Sequence, residues 1–361
     1  MADLTKGFPK ELSKTKVEGV DKKFDLSDPA QRKEYFEAKV GDEIKALKEY
    51  FDDNTFIAYW LGKKSSGKGT YSKLMMEIFG KDKIEHISIG DVTRDVHKEI
   101  TADEDKKAEL IEYLKKNYRG YISAEEALDR FINKTQDKLL PTEFILTLVK
   151  REIDKKDKKT LFVDGFPRNL DQVSYSLYFR DLINYREDDD IFIGIDIPET
   201  VIDERMKTRV VCPKCNTPRS LKLFATKTAG HDEEAGEFYL KCDGEDCGGA
   251  RMVAKEGDSA GIESIRARLD LDDQLIEKVF ALHGVPKILL RNSIEKNYAD
   301  EIIDDYEITP EHTYEVGGDG DVKIGEKPWI LKNDEDEDAI SLQAPATAIS
   351  LIRQLAKILT K

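Results

Sequence analysis

The amino-acid sequence predicts an α/β fold, a parallel β-sheet flanked by helices, and three observations carry that expectation. Short apolar, β-prone runs recur along the chain. Helical stretches separate them, and the first run passes through a glycine-rich turn directly into a helix. The runs at 55–60, 84–89, 160–163, 191–197 and 287–290 read as buried strands. The stretches 70–79 (ending at Gly80), 143–153 and 273–282 read as helices between them.

Residues 1–54 read as an appended helical segment. Ser27-Asp28-Pro29 sets a capping side chain ahead of a proline in the first helical turn. Phe36, Val40, Ile44, Leu47 and Phe51 then recur at steps of 4, 4, 3 and 4, an apolar helix face expected to pack on the main domain. Near the other end, 313–343 breaks the strand–helix rhythm. Its short apolar runs are separated by Gly-Gly-Asp-Gly and by the acidic run 334–338, and read as a small antiparallel meander. Residues 346–360 close as a helix with Ile349, Ile352, Leu355 and Leu359 on one face.

The chain has 361 residues, with 58 basic against 73 acidic side chains and a net charge of −15. That balance argues against a general nucleic-acid binder, whose phosphate affinity needs clustered Lys and Arg. No apolar run is long enough to span a bilayer, so no membrane association is expected, and the Lys-rich start lacks the apolar stretch of a signal peptide. Four cysteines confined to the 36-residue window 212–247 do not resemble a disulfide framework, and a reducing cytoplasm is expected.

The turn after the first strand reads Gly62-Lys63-Lys64-Ser65-Ser66-Gly67-Lys68-Gly69-Thr70, which fits G-x-x-x-x-G-K in its required strand-to-helix context. Glycines there let backbone N–H groups turn inward around phosphate oxygens, and the helix adds its positive end. Lys68 would supply a charge for the β- and γ-phosphates. Gly69 stands where a Ser or Thr usually holds magnesium, with Thr70 one place later.

Gly-Lys-Gly-Thr is the form seen in adenylate kinases, and three further motifs follow in that family's order. His86-Ile87-Ser88-Ile89-Gly90-Asp91-Val92-Thr93-Arg94 resembles the opening of the nucleoside-monophosphate (NMP) site. Asp164-Gly165-Phe166-Pro167-Arg168, with Gln172 beyond it, resembles the family's Asp-Gly-Phe-Pro-Arg signature. Glu204-Arg205-Met206-Lys207-Thr208-Arg209 resembles the entry to the mobile lid, and Glu263-Ser264-Ile265-Arg266-Ala267-Arg268-Leu269 its exit. The chain thus resembles an adenylate-kinase-type NMP kinase over roughly two thirds of its length.

The resemblance implies a P-loop kinase core at 55–93, 138–205 and 263–361, a helical NMP-binding insertion at 94–137 and a lid at 206–262. It implies ATP contacts from Gly62, Ser65, Ser66, Gly67, Lys68, Gly69, Thr70 and Arg205. NMP contacts would come from Ile89, Gly90, Arg94, Leu140, Gly165, Arg168 and Gln172. The catalytic set would be Lys68, Arg168, Arg209 and Arg268, with Asp164 ordering Mg2+ and Asp91 able to assist. The residue types suit the chemistry: phosphoryl transfer needs alignment and charge neutralisation rather than a side-chain nucleophile, and planar guanidinium groups bind phosphate bidentately.

Cys212-x2-Cys215 and Cys242-x4-Cys247 fall inside the implied lid. Paired thiolates on two turns suit a structural tetrahedral Zn2+ site forming a small β zinc ribbon, favoured over disulfides in a reducing compartment. His231, Asp243 or Asp246 could replace one ligand. A ribbon can also bind nucleic acid, but 212–247 holds five basic and seven acidic residues. The lid reading is therefore the stronger one.

Four departures from the family's pattern bear on the site. Ile89 replaces the family's threonine facing the monophosphate base, while Gln172, which reads adenine in the family, is kept. AMP is favoured as acceptor, with CMP, UMP or a broader preference as alternatives. The insertion before Lys138-Leu139-Leu140-Pro141-Thr142 is enlarged. The second lid arginine has two candidate replacements, Arg251 and Lys255, and Gln343-Ala344-Pro345 would stand for the loop touching the donor adenine. The expected protein is a monomeric cytoplasmic kinase of ATP and a nucleoside monophosphate; the rival is a binding module that keeps the fold without turnover.

Overall fold

The computed structural model describes residues 10–133, 140–255, 257–258, 260–318 and 321–360. Its centre is a five-stranded, wholly parallel sheet in the order Lys287–Arg291, Asp189–Asp196, Phe56–Gly62, Thr160–Asp164, Ile84–Ser88. Each apolar run read as a buried strand forms one of these five. The central strand feeds two cores by strict alternation. Phe56, Ala58 and Trp60 join the cluster on one face, and Ile57, Tyr59 and Leu61 the cluster on the other. This explains why the run is apolar throughout: helices cover both faces.

Register brings the ends of three strands to one edge. Trp60 and Ser88 both stand beside Asp164. Gly62, Ser88 and Asp164 therefore emerge together at the carboxyl end of the sheet, where the strand order reverses and a crevice opens.

The helix Pro29–Asp53 begins as its sequence predicts, with the Asp28 carboxylate accepting from the Gln31 N–H at 2.9 Å. Its predicted face is fully buried against Ala344–Leu359 and Lys68–Phe79, and Val40 marks a kink. Polar ties add to this packing: Tyr35 Oη donates to Glu307 Oε1 at 2.6 Å and Lys39 Nζ meets Asp304 Oδ2 at 2.6 Å. Truncating Leu47, which has no exposed surface, should cost about 3 kcal/mol through reduced burial and a residual cavity. Urea unfolding of Leu47→Ala checks this; a destabilisation under about 1 kcal/mol would mean the helix is not part of the cooperative unit.

Residues 94–133 run through three helices, Ile89–Ala102, Glu104–Asn117 and Ala124–Ile132, whose Leu110, Leu114 and Phe131 form a core with Phe144 of the helix Thr142–Ile153. Lys138 and Leu139 lie outside the described residues.

The stretch read as a single meander divides in two. Pro310–Val316 pairs antiparallel with Val322–Pro328 as a two-stranded sheet of its own. Ile330–Lys332 and Asp338–Ser341 pair with each other instead, and Ser293–Glu295 adds a third strand that the sequence pattern did not reveal. Pro328 lacks an N–H, which ends the first ladder. Different burial then separates the pieces: Tyr314, Val322 and Ile324 pack beside the cysteines, whereas Trp329, Leu331 and Ala339 pack beside Ile197 and Met206.

Candidate active site and cysteine lid

The loop after the central strand owes its shape to local chemistry. Gly67 has φ +101°, a left-handed conformation disfavoured once a Cβ is present, and a Cβ there would stand 3.2 Å from the Tyr71 ring. The helix Lys68–Phe79 starts immediately after it, so its unpaired N–H groups face the crevice. Lys68 Nζ donates to the carbonyls of Gly62 (2.8 Å) and Lys63 (3.0 Å) and lies 3.9 Å from Asp164 Oδ1. Burial lowers the Lys68 pKa, against the opposing pull of Asp164 and Asp272. Gly69 is not sterically demanded: a Cβ would meet only the His86 ring, at 3.7 Å. Thr70 lies exposed in the first turn, and the Ser66 hydroxyl is buried without a hydrogen-bond partner.

The next strand ends bring the monophosphate motifs together. Gly165 has φ +89°, and a Cβ on it would press to 3.2 Å from Arg168 Nη2. A Cβ on Gly90 would lie 3.4 Å from Arg94 Nη1 and 3.8 Å from Arg168 Nη2, so both guanidinium groups gather over Gly90. Arg168 Nε donates to Gly165 O at 3.0 Å, and desolvation followed by the nearby Arg268 lowers its pKa. Exposed Arg94 pairs with Asp91 across one helical turn. Gln172 accepts from the Arg168 N–H at 2.8 Å and donates to Thr142 Oγ1 at 3.1 Å, so its carboxamide is engaged at both ends. Ile89 is buried with Phe166 and Val163 in the core, and Leu140 packs against the insertion's core.

Two arginines of the segment leading to the cysteines reach the phosphate loop. Arg205 Nη1 donates to Ser65 O at 3.1 Å and Arg209 Nη1 to Ser65 Oγ at 3.0 Å. Arg209 Nε also donates to Asp258 Oδ2 at 2.5 Å, and Lys64 Nζ lies 3.4 Å from the other oxygen of the same carboxylate. Asp258, in the irregular segment after the strand Val253–Ala254, thus ties that segment to the loop, a residue that no spacing rule singles out. Asp272 is a second such residue: its Oδ2 is shielded, without a hydrogen-bond partner, and 4.0 Å from Arg268 Nε. Of the two candidate lid cations, Arg251 pairs with Asp232 at 2.6 Å and stacks over Tyr239, on the hairpin formed by Ala229–Asp232 and Glu237–Leu240. Lys255 instead is held below the ordinary lysine range by burial, then by Arg209, with Lys64 and Arg94 also contributing.

The four cysteine sulfurs converge. All are free thiols lying within 4.8 Å of one another, and they form the one such cluster of possible metal ligands among the described residues. Four sulfurs at about 2.3 Å from a tetrahedral ion stand about 3.8 Å apart. Here Cys212–Cys247 is 3.8 Å and Cys215–Cys242 is 3.7 Å. Backbone N–H groups of Lys214 and Gly244 point at Cys212 and Cys242 sulfur, each at 3.4 Å, as suits thiolate acceptors. The Cys215 thiol is pushed down to about 6 by its bond to Thr217, while Cys247 is pushed up to about 12 by Cys215, as expected where thiols share protons at close range. Of the alternative ligands, His231 packs on Phe238 and Asp243 accepts from the Lys227 N–H.

No helix among the described residues is long and apolar enough to cross a membrane. No family model matches the chain. Curated relatives do. Adenylate kinase of Clostridium acetobutylicum is 31% identical over 232 residues, covering 63% of this chain and 87% of that protein. Adenylate kinase of Clostridium tetani is 29% identical over 246 residues, 67% of this chain and 94% of the relative. Adenylate kinase of Thermotoga petrophila is 32% identical over 157 residues, 43% of this chain, and the match spans only 59% of that relative's length. With the parallel-sheet core, the phosphate loop and these matches together, the chain belongs to the adenylate kinase family of nucleoside-monophosphate kinases.

Proposed function

We propose that the protein catalyses reversible, magnesium-dependent phosphoryl transfer between ATP and AMP to give 2 ADP, under a lid built on structural zinc. The observation that carries this reading is the convergence of Lys68, Arg94, Arg168 and Arg268 at the carboxyl edge of the sheet, beside Asp164. Two polyanions brought face to face need such a cation surplus, and little else, for transfer. Arg94 and Arg168 would hold the monophosphate, Arg205 would border the donor base, and Lys68, Arg209 and Arg268 would surround the transferred group. Magnesium, held by Asp164 with Asp91 able to assist, would neutralise donor phosphate charge. With four protein sulfurs, zinc has no open position for water, so it would act on the fold rather than the chemistry. The lid would exclude water, which otherwise competes as acceptor.

Ile89 favours a second reading of the acceptor only. Its apolar side chain is buried in the core rather than offering a hydroxyl to a base, so CMP or UMP kinase activity is the alternative. The test is ADP formation from ATP and magnesium with AMP, CMP, UMP or GMP as acceptor. Turnover with AMP alone is expected; turnover with a pyrimidine instead transfers the assignment, and none with any acceptor overturns it.

Lys255 should serve as the second lid cation. Lys255→Ala is expected to lower kcat by at least about tenfold, while Arg251→Ala should stay within about twofold. The reverse order of effects would assign the role to Arg251.

A further inference from the structure

Asp272 stands where the phosphate-binding cations meet, and none of the family motifs includes it. It lies on the helix Arg266–Phe280, one turn beyond Arg268, with Oδ2 4.0 Å from Arg268 Nε. Its carboxylate pulls on both Lys68 and Arg168, as Asp164 does. The next residue is already committed: Asp273 Oδ2 meets Lys63 Nζ at 3.0 Å. Asp272 Oδ2 has no such partner, being shielded from solvent with no donor within hydrogen-bond reach.

As a mere filler this carboxylate is unfavourable twice over. A buried anionic oxygen without a donor is costly, and its charge competes with phosphate for Lys68, Arg168 and Arg268. A divalent cation removes both objections. Magnesium takes oxygen ligands, keeps several waters, and is commonly held by one or two carboxylates together with substrate phosphates.

We propose that Asp272 is a further carboxylate for the nucleotide's magnesium, acting together with Asp164, directly or through a bound water. The proposal rests on the kinase reading above and adds a metal-binding role for a residue outside its motifs.

The test compares ATP affinity in magnesium-free and magnesium-containing buffer by calorimetry, for the intact protein, for Asp272→Asn, and for Asp270→Asn as an exposed neighbour. In Asp272→Asn the gain in affinity given by magnesium should shrink about tenfold, while magnesium-free ATP binds as well or more tightly. Mn2+ in place of magnesium should lose its protein-dependent paramagnetic resonance signature in the same variant. An unchanged ratio, with both affinities rising equally, would make Asp272 only a counter-ion and overturn the proposal. So would an equal loss in Asp270→Asn. If Asp272→Asn does not fold, Asp272→Ser serves for the same ratio. An intact protein that binds ATP in neither buffer sinks the kinase reading itself, whereas one that binds it equally in both sinks this proposal alone.

Discussion

Replacing Arg168 with alanine is expected to lower kcat/KM for AMP phosphorylation about 10²–10³-fold, with little change in folding stability. The side chain reaches the crevice already aimed: Nε is fixed on Gly165 O at 3.0 Å, and the left-handed Gly165 leaves room for Nη2. Its neighbour Arg268 is another cation, which is unfavourable unless an anion comes between them. A group that meets a bound anion, rather than one that braces the fold, would be placed in this way. Arg168 is exposed toward the crevice, so truncation removes little packing. The thermal midpoint should accordingly move by the equivalent of about 1 kcal/mol or less. Arg168→Lys should recover only part of the rate, because an ammonium keeps the charge but not the planar pair of donors. A kcat/KM within about threefold of the parent for Arg168→Ala would remove Arg168 from the site.

The parts of this molecule that are legible in the sequence are those encoded over short spans. Phe56 to Gly62 is apolar at every position but the last because both faces of a parallel strand are covered, and that leaves a visible run. The phosphate loop and the Cys-x2-Cys knuckle are likewise written within a few consecutive residues. What stays hidden depends on distant partners. Asp258 matters because it meets Arg209, 49 residues away, and Glu307 because Tyr35, 272 residues away, donates to it. Asp272 looks like an ordinary surface aspartate of an amphipathic helix until Lys68 and Arg168 are folded against it. The single meander expected over 313–343 fails for the same reason. Its four apolar segments have the spacing of successive hairpins, but which of them pair is decided by Ser293–Glu295 and by the lid surface.

Removing the metal should reach further than the lid. Cys212, Cys242 and Cys247 are buried in one small cluster with Val210, Leu240 and Met252, too few apolar residues to hold a ribbon of short strands without a metal clip. The hairpin Pro310–Val316 with Val322–Pro328 rests on that same cluster. Tyr314 stacks on Phe238 with ring centroids 5.5 Å apart, Val322 and Ile324 pack beside it, and the His312 N–H donates to Lys222 O at 2.7 Å. Cys247→Ser, or extraction of zinc by a thiol-reactive mercurial followed by a chelator, should therefore raise amide exchange across 209–254 and 310–328 together. Exchange in the central strands 56–62 and 160–164 should stay slow, because their cores share no residue with the lid. Activity should fall at least about tenfold, since Arg209 is carried by the melted segment and Lys255 directly follows it. Parent protein without about one zinc per chain would refute the metal assignment. Exchange that rises in 209–254 but not in 310–328 would show instead that the hairpin is anchored through its stem at Ile330–Lys332, leaving the lid free to move beneath it.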